Sequence, residues 1–285
     1  MQNIPVRNIN AAQKEPGFLG SFCIRDIRGM LAEKDMVHQL HRHDFFFILA
    51  LEKGKGHHEI DFVSYEVSDC SVFFIRPGQV HQLMLKAGGT GHLVQFTPGF
   101  YDQHDKVLKQ QFRKASQLNL YQFDSNGFNR LLVLLTHILY EYTNKHEGYQ
   151  EAIKANLTLF FIELVRWQGK GHLNHANLYM QERLEEFLEL LEENTASVKQ
   201  VSQYADMLNL SPYQLNAITK GTLGKTCSEL INEHILLQAK RYLLASSNQV
   251  NQIAYHLGYE DVSYFIRFFK KHTGYSPEAF RHNSR

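Results

Sequence analysis

The sequence predicts a two-domain α+β chain. An N-terminal all-β barrel or sandwich with a helical hairpin precedes an all-α domain of two helix-turn-helix units joined by a linker helix. Three observations carry this reading. Residues 178–285 contain one pattern twice, residues 1–105 are short apolar runs broken by glycine and proline, and a polar, glycine-bearing stretch at 169–177 separates the two regions. A length of 285 residues suits two domains, and 44% hydrophobic content is enough for two cores.

In the first domain, read as residues 1–168, Phe45 to Leu51 is a buried apolar strand and Glu52-Lys53-Gly54-Lys55-Gly56 is a hairpin turn. His57 to Phe62 and Tyr65 to Val67 continue the alternation, and Cys70 to Ile75 is another strand, ended by Arg76-Pro77-Gly78. Short strands with such turns close into a sandwich or barrel, placed over about 1–105. Within the helices at about 106–168, residues 128–142 and 152–167 are strongly apolar helical stretches joined by a polar turn. Their apolar surface exceeds what one small barrel needs, so an antiparallel hairpin presenting one side to a twin subunit is expected. Packing against the barrel is the alternative.

The second domain opens at residue 178 with an acidic amphipathic helix carrying Leu184, Phe187, Leu188 and Leu191 on its apolar face. The repeat then runs VSQYADMLNLSPYQLNAITKGTLG over 201–224 and VNQIAYHLGYEDVSYFIRFFKKHTG over 250–274. The offset is 49 before the turn and 50 after it, so Ala205 matches Ala254 and Leu215 matches Phe265. A helix-turn-helix needs a small residue at the crossing, a tight turn and apolar residues on both inner faces. Ala205 and Ala254 supply the first, and Asn209 and Gly258, which tolerate a left-handed backbone, supply the second. The inner faces are Tyr204, Leu208, Leu210, Leu215 and Ile218 in one unit, and Ile253, Leu257, Tyr259, Phe265 and Phe268 in the other. Ser211-Pro212 starts one second helix by capping, and Glu260-Asp261 starts the other with carboxylates at the positive dipole end.

The outward faces then carry Tyr213, Gln214, Asn216, Ala217 and Lys220, and Val262, Ser263, Ile266, Arg267, Lys270 and Lys271. Asn and Gln pair with adenine edges, Arg with guanine, and Val or Tyr meets a thymine methyl. Lys220, Lys270 and Lys271, towards the helix ends, suit phosphate. From Asn194 onward 10 Lys and Arg stand against 6 Asp and Glu, a net of +4 in a chain of net charge +1. Residues 227–245 between the copies form an amphipathic helix, long enough to hold two recognition helices apart for successive major grooves of one duplex.

The segment Gln252 to Arg281 (QIAYHLGYEDVSYFIRFFKKHTGYSPEAFR), with the stretch around Gln238, Ala239, Lys240, Arg241 and Leu243, resembles the C-terminal signature of AraC/XylS-type transcriptional regulators over residues 178–282. Ala217, Thr219 and Gly221 depart from that pattern, which has Arg, Phe and Lys there, and the departure removes contacts from the first unit. His41-Arg42-His43 and Pro77-Gly78-Gln79-Val80-His81 resemble the two half-motifs of a cupin jelly roll. Metal-holding cupins add a Glu after the first two histidines, where this chain has Phe47. His41, His43 and His81 are therefore read as ligand-binding residues for a small organic effector, with no metal and no cofactor expected. Three imidazoles with Glu52 or Glu59 on a divalent ion, or a structural role for His81, are the competing readings, and Arg25 and Arg76 are candidates to meet an anionic ligand.

The resemblance implies a DNA-binding regulator, not an enzyme, with promoter DNA, a small-molecule effector and a twin subunit as partners. RNA polymerase joins them if the protein activates. A metal-dependent cupin enzyme with a DNA-binding tail, and a constitutive dimer without ligand, are the alternatives. Cys23, Cys70 and Cys227 form no CxxC pair, and the chain shows neither a leader-like nor a membrane-spanning apolar run. A bacterial cytoplasm is the expected location.

Overall fold

The computed structural model describes residues 6–7, 21–101, 106–169 and 178–283. The chain divides into two compact units, residues 4–172 and a unit running from residue 173 to the end. Of the linker expected at 169–177, only Gly169 is described, as the last residue of a helix. The remainder lies outside the described residues.

In the first unit two five-stranded sheets form a jelly roll. One has the order β1 (Val6–Arg7), β3 (Met36–His43), β8 (Val80–Leu85), β5 (Gly56–Ile60), β6 (Val63–Val67). The other has the order β10 (Leu120–Gln122), β7 (Ser71–Ile75), β4 (Phe46–Lys53), β9 (Thr90–Phe96), β2 (Phe22–Asp26). All described pairings are antiparallel except β1 with β3. Between the sheets lie Phe47, Leu49, Leu51, Ile60, Leu83 and Leu85.

Side chains alternate along a strand, so the intervening residues of β4, Ile48 and Ala50, face the other side of their sheet. Three helices cover that side: α1 (Lys106–Gln117), α2 (Ser125–Asn144) and α3 (Tyr149–Gly169). Phe128, Leu131, Leu135, Ile138, Leu157 and Phe161 share one buried cluster with Ile48, Phe74, Val94 and Phe96 of the sheet. Phe161 sits 6.0 Å from Phe74 and 5.0 Å from Phe112 of α1, ring to ring. The expected hairpin is present; one side of it packs within its own unit, as the alternative reading had it, and the other carries exposed Val133, Tyr140 and Leu159. A strand buried on both faces reads as a continuous apolar run, and the sequence reading underestimated how much helix that run would need to cover it.

The second unit consists of α4 (Leu178–Asn194), α5 (Val201–Met207), α6 (Pro212–Leu223), α7 (Cys227–Ala245), α8 (Val250–His256), α9 (Val262–Thr273) and α10 (Pro277–Asn283). One core takes Phe187 from α4, Tyr204 and Ala205 from α5, Leu215 from α6, Ile235 and Ala239 from α7, Ile253 and Ala254 from α8, and Phe265 and Phe269 from α9. Phe268, expected inside, is only half-buried, and Phe269 takes the buried place.

The two helix-turn-helix units repeat atom for atom at several points. Gln203 Oε1 accepts from Gln200 N at 3.4 Å, and Gln252 Oε1 accepts from Gln249 N at 2.9 Å. At the turns Leu210 N donates to Ala205 O and Tyr259 N to Ala254 O, both at 2.9 Å. Asn209 has φ 54° and Gly258 φ 74°, the left-handed conformation the turn requires. The second unit has an extra clamp: Lys199 Nζ donates to Gly258 O at 3.0 Å and to Ala196 O at 3.2 Å, and lies 4.9 Å from the Tyr259 ring. Arg281 of α10 donates to Leu243 O in the last turn of α7 at 3.0 Å and to Asn248 O in the connection to α8 at 2.6 Å.

A methyl group at Gly258 would stand 1.6 Å from Ala196 O, whereas one at Gly224, also at positive φ, meets nothing within 4 Å. Gly224→Ala is expected to cost about 1 kcal/mol, and Gly258→Ala about 2–4 kcal/mol because backbone must also move. Amide hydrogen exchange over α8 and α9 reads the difference; equal protection in the two variants contradicts the clamp.

Candidate nucleic-acid interface and imidazole cluster

The second helix of each unit, α6 and α9, presents a polar face to solvent. Ser211 caps α6: Gln214 N donates to Ser211 Oγ at 3.2 Å, and Gln214 Oε1 accepts from Ser211 N at 2.8 Å. Asp261 caps α9, its Oδ1 accepting from Ser263 N at 2.7 Å and Tyr264 N at 3.2 Å. Both helices end at left-handed glycines, Gly224 and Gly274. Tyr213 is 83% exposed, and Gln214, Lys220, Ser263, Lys270 and Lys271 are exposed beside it and on α9. The Arg267 side chain is 70% exposed and only loosely paired, 3.8 Å from Asp261.

Three of the residues read as outward-facing are only partly exposed. Asn216 is half-buried; its Nδ2 donates to Pro212 O at 3.0 Å and its Oδ1 accepts from Cys227 N at 3.0 Å, so its amide joins α6 to the start of α7. Val262 and Ile266 are half-buried and pack against the core. Each lies on the flank of its helix, where the neighbouring helix decides whether a side chain is covered, and periodicity alone does not place that neighbour. Tyr264, which the sequence reading passed over, is 55% exposed beside Ser263. Its place one residue on from Ser263 was the available signal.

The first unit carries a different constellation, inside its sandwich. His41 and His43 lie on β3 and His81 on the adjacent β8, paired with His41; all three are buried. His41 and His43, two residues apart, share one side of the strand, and a register irregularity between His38 and His41 turns that side inward. The rings form a triangle with centroid separations of 4.3, 4.6 and 4.7 Å. His43 Nε2 and His81 Nε2 are 2.6 Å apart, and His41 Nδ1 is 2.7 Å from Gln39 O, to which it donates. A fourth imidazole, His58 on β5, completes the row with its Nε2 2.9 Å from His81 Nδ1. The sequence reading missed it; its inward phase, two residues before buried Ile60, was the signal. Burial first, then the neighbouring imidazoles, lower the pKa of His58 to about 3 and that of His81 well below its usual value, so both rings are neutral.

Neither Glu52 nor Glu59 joins this cluster. Glu59 alternates with the inward His58, and its Oε2 accepts from Gln82 Nε2 at 3.0 Å. Glu52 shares the phase of Ile48 and Ala50, away from the sandwich interior, and accepts from Thr90 at 3.2 Å. Phe47 occupies the cluster's side, stacked on His43 at 5.3 Å and 6°. The turn before β8 is closed by Gln79, not His81: its Oε1 accepts from Arg76 N and its Nε2 donates to Asp61, both at 2.7 Å. Arg25 is half-buried on β2, and Arg76 sits in that turn.

Comparison with known proteins matches both halves. The AraC-like ligand binding domain family matches residues 31–161, and a helix-turn-helix domain family matches residues 204–283. The pairing of these two domains in this order makes the chain similar to AraC-type transcriptional regulators. The HTH-type transcriptional activator RhaS of Escherichia fergusonii is 25% identical over 249 residues, spanning 85% of this chain and 86% of its own. RhaS of Pectobacterium carotovorum is 26% identical over 247 residues, 86% of this chain and 88% of its own. A solved structure of ToxT from Vibrio cholerae O395 covers 92% of this chain and 97% of its own at 16% identity and a TM-score of 0.44. The ligand-domain match spans His41, His43, His58 and His81, and the helix-turn-helix match spans α6 and α9.

Two substitutions separate contact from support on the helical face. Arg267→Ala is expected to weaken binding to a specific site by about 1–3 kcal/mol and to relax base preference at one position. Asn216→Ala is expected to lower stability by about 1 kcal/mol through the lost α7 contact while leaving base preference unchanged. Competition binding against single-base variants of a selected site distinguishes them; a changed preference in Asn216→Ala returns that residue to the reading face.

Proposed function

We propose that this chain is an AraC-type regulator that reads promoter DNA with α6 and α9 and is controlled by a small molecule held in the jelly roll beside His41, His43 and His81. The observation that carries the DNA half is the matched pair of recognition helices on one core, each capped, each with an exposed polar face. Of the residues first read as contacts, Tyr213, Gln214, Ser263 and Arg267 remain for bases, with Tyr264 added. Lys220, Lys270 and Lys271 remain for phosphates. Gln214 engages its Oε1 in the cap, so its Nε2 is the group offered to DNA. The second unit is assigned the larger share of specificity, since Ala217 stands where its counterpart is Arg267.

The effector half rests on the buried imidazoles, polar groups set in an otherwise apolar interior. A non-enzymatic role is proposed from the relatives, which are named as transcriptional activators. Two copies are assigned to pair along α2, where Leu132, Val133, Thr136, His137, Tyr140 and Asn156 of α3 line a surface groove and Val133 is 69% exposed. If the protein activates its promoter, RNA polymerase is a further partner, and with DNA as its target the proposed location is the cytoplasm. No described helix is long and apolar enough to cross a membrane.

Fluorescence anisotropy on fragments selected from genomic DNA tests the DNA half. Binding is expected to weaken steeply with salt, with a log–log slope of about −0.9 per phosphate neutralised, and Lys270→Ala is expected to reduce that slope by about 1 on all sequences alike. Undetectable or salt-independent binding overturns the reading. A thermal-shift screen with sugars, organic acids and aromatic compounds tests the effector half, because a ligand of the folded state raises its melting temperature by mass action.

A further inference from the structure

We propose that His41, His43 and His81 bind one divalent transition-metal ion of the zinc or cobalt type, with His58 orienting His81 from behind. The proposal deepens the sensory reading of this cluster by naming the chemical class of what the three imidazoles hold.

The geometry is that of a ligand set. Each of the three histidines offers one nitrogen, and these atoms lie within 4.8 Å of one another on fully covered side chains. His43 Nε2 and His81 Nε2 face each other at 2.6 Å, so either a proton or an ion belongs between them. A tetrahedral ion with Zn–N near 2.05 Å sets its nitrogens about 3.3 Å apart, so the two rings need part by only several tenths of an ångström.

The surroundings hold the rings as metal-binding imidazoles are held, by a hydrogen bond at the nitrogen away from the ion. His41 Nδ1 donates to the Gln39 carbonyl at 2.7 Å, which makes Nε2 its coordinating atom. His81 Nδ1, 2.9 Å from His58 Nε2, donates to it when His81 Nε2 coordinates. His58 is then the neutral acceptor, with its proton on Nδ1, a buried atom with no hydrogen-bond partner among the described residues. Burying the three imidazoles of His41, His43 and His81 among Phe and Leu costs free energy that packing alone does not return. Ion coordination supplies the compensation.

The donor set also narrows the ion. Three neutral imidazoles without a carboxylate suit zinc, cobalt, nickel or copper and not magnesium or calcium. With Phe47 on the side where a fourth protein ligand would stand, three protein ligands leave one position for solvent or for a donor atom of an organic effector.

The test uses the full chain, stripped of metal with a chelator and titrated with cobalt(II) and zinc(II), with DNA binding measured on the same samples. Expected are one cobalt per chain, the intense visible absorption of four-coordinate cobalt, and loss of both in His43→Ala and His81→Ala. His58→Ala should keep the stoichiometry but weaken binding about 10–100-fold, with His58→Gln restoring part of it through its amide oxygen. Should the alanine variants fail to fold, the cobalt spectrum and X-ray absorption of the unaltered chain decide, three imidazole nitrogens at about 2.0–2.1 Å supporting the site. Absence of a stoichiometric ion in a chain that still binds DNA overturns the metal site and leaves the regulator reading intact. A bound ion in a chain that ignores DNA supports the site and overturns that reading. Cobalt absorption unchanged in the histidine variants assigns the ion to surface histidines and overturns the proposal.

Discussion

The second unit depends on one backbone constraint, a single left-handed residue between two short helices. Asn209 and Gly258 turn the chain so that Leu210 N and Tyr259 N return to the carbonyls of Ala205 and Ala254. That bond fixes how the helices of each pair cross, and the crossing is close because the residue at it is alanine, fully buried in both copies. Once the crossing is set, Leu215 and Ile218 must face inward on α6, as Phe265 and Phe269 do on α9. The opposite faces are left to solvent. Their polar side chains are therefore a product of turn geometry as much as of their own chemistry.

The first unit solves the opposite problem. Its polar groups are hidden, and the polypeptide invests unusual geometry in hiding them. The irregularity on β3 between His38 and His41 changes which way successive side chains face, bringing His41 and His43 to the strand's inner side opposite His81. The Gln79–Asp61 hydrogen bond ties the start of β8 to the β5–β6 turn. The imidazoles are thus mounted on three neighbouring strands, β3, β8 and β5, not on loops. Rigid mounting of this kind suits a site that must hold one geometry in a low-dielectric interior.

The two halves were unequally legible in the sequence. The helical unit is specified locally: the caps at Ser211 and Asp261, the turn residues Asn209 and Gly258 and the inner apolar positions all act within a few residues of themselves. Reading was incomplete where a third helix intervened, as at Asn216, which reaches Cys227 eleven positions away, and at the partly covered Val262 and Ile266. In the sandwich, β4, β5, β6 and β7 were visible as apolar or alternating runs, whereas β2, β3, β8, β9 and α1 were not. On β3 the alternation is interrupted by the irregular register and its inner positions are histidines, so a hydrophobicity pattern passes over it. His41, His43 and His81 were recognisable from motif spacing, but His58 comes to the row only through the pairing of β5 with β8. How much of the hairpin the sheet would cover was not legible, because burial of a sheet on both faces is a property of the assembled layers.

The doubly covered strand β4 has an evolutionary corollary. Neighbouring residues Phe47 and Ile48 serve separate cores, so a replacement that improves one does nothing to relieve the other, and few positions along that strand are free to vary. The facing sheet, with Val37 and Met84 open to water, has slack. Divergence in what the jelly roll accepts should accumulate on β3, β5 and β8, while β4 and β7 stay fixed as a shared wall. A lineage can then retune its chemical sense without rebuilding the scaffold that reports it.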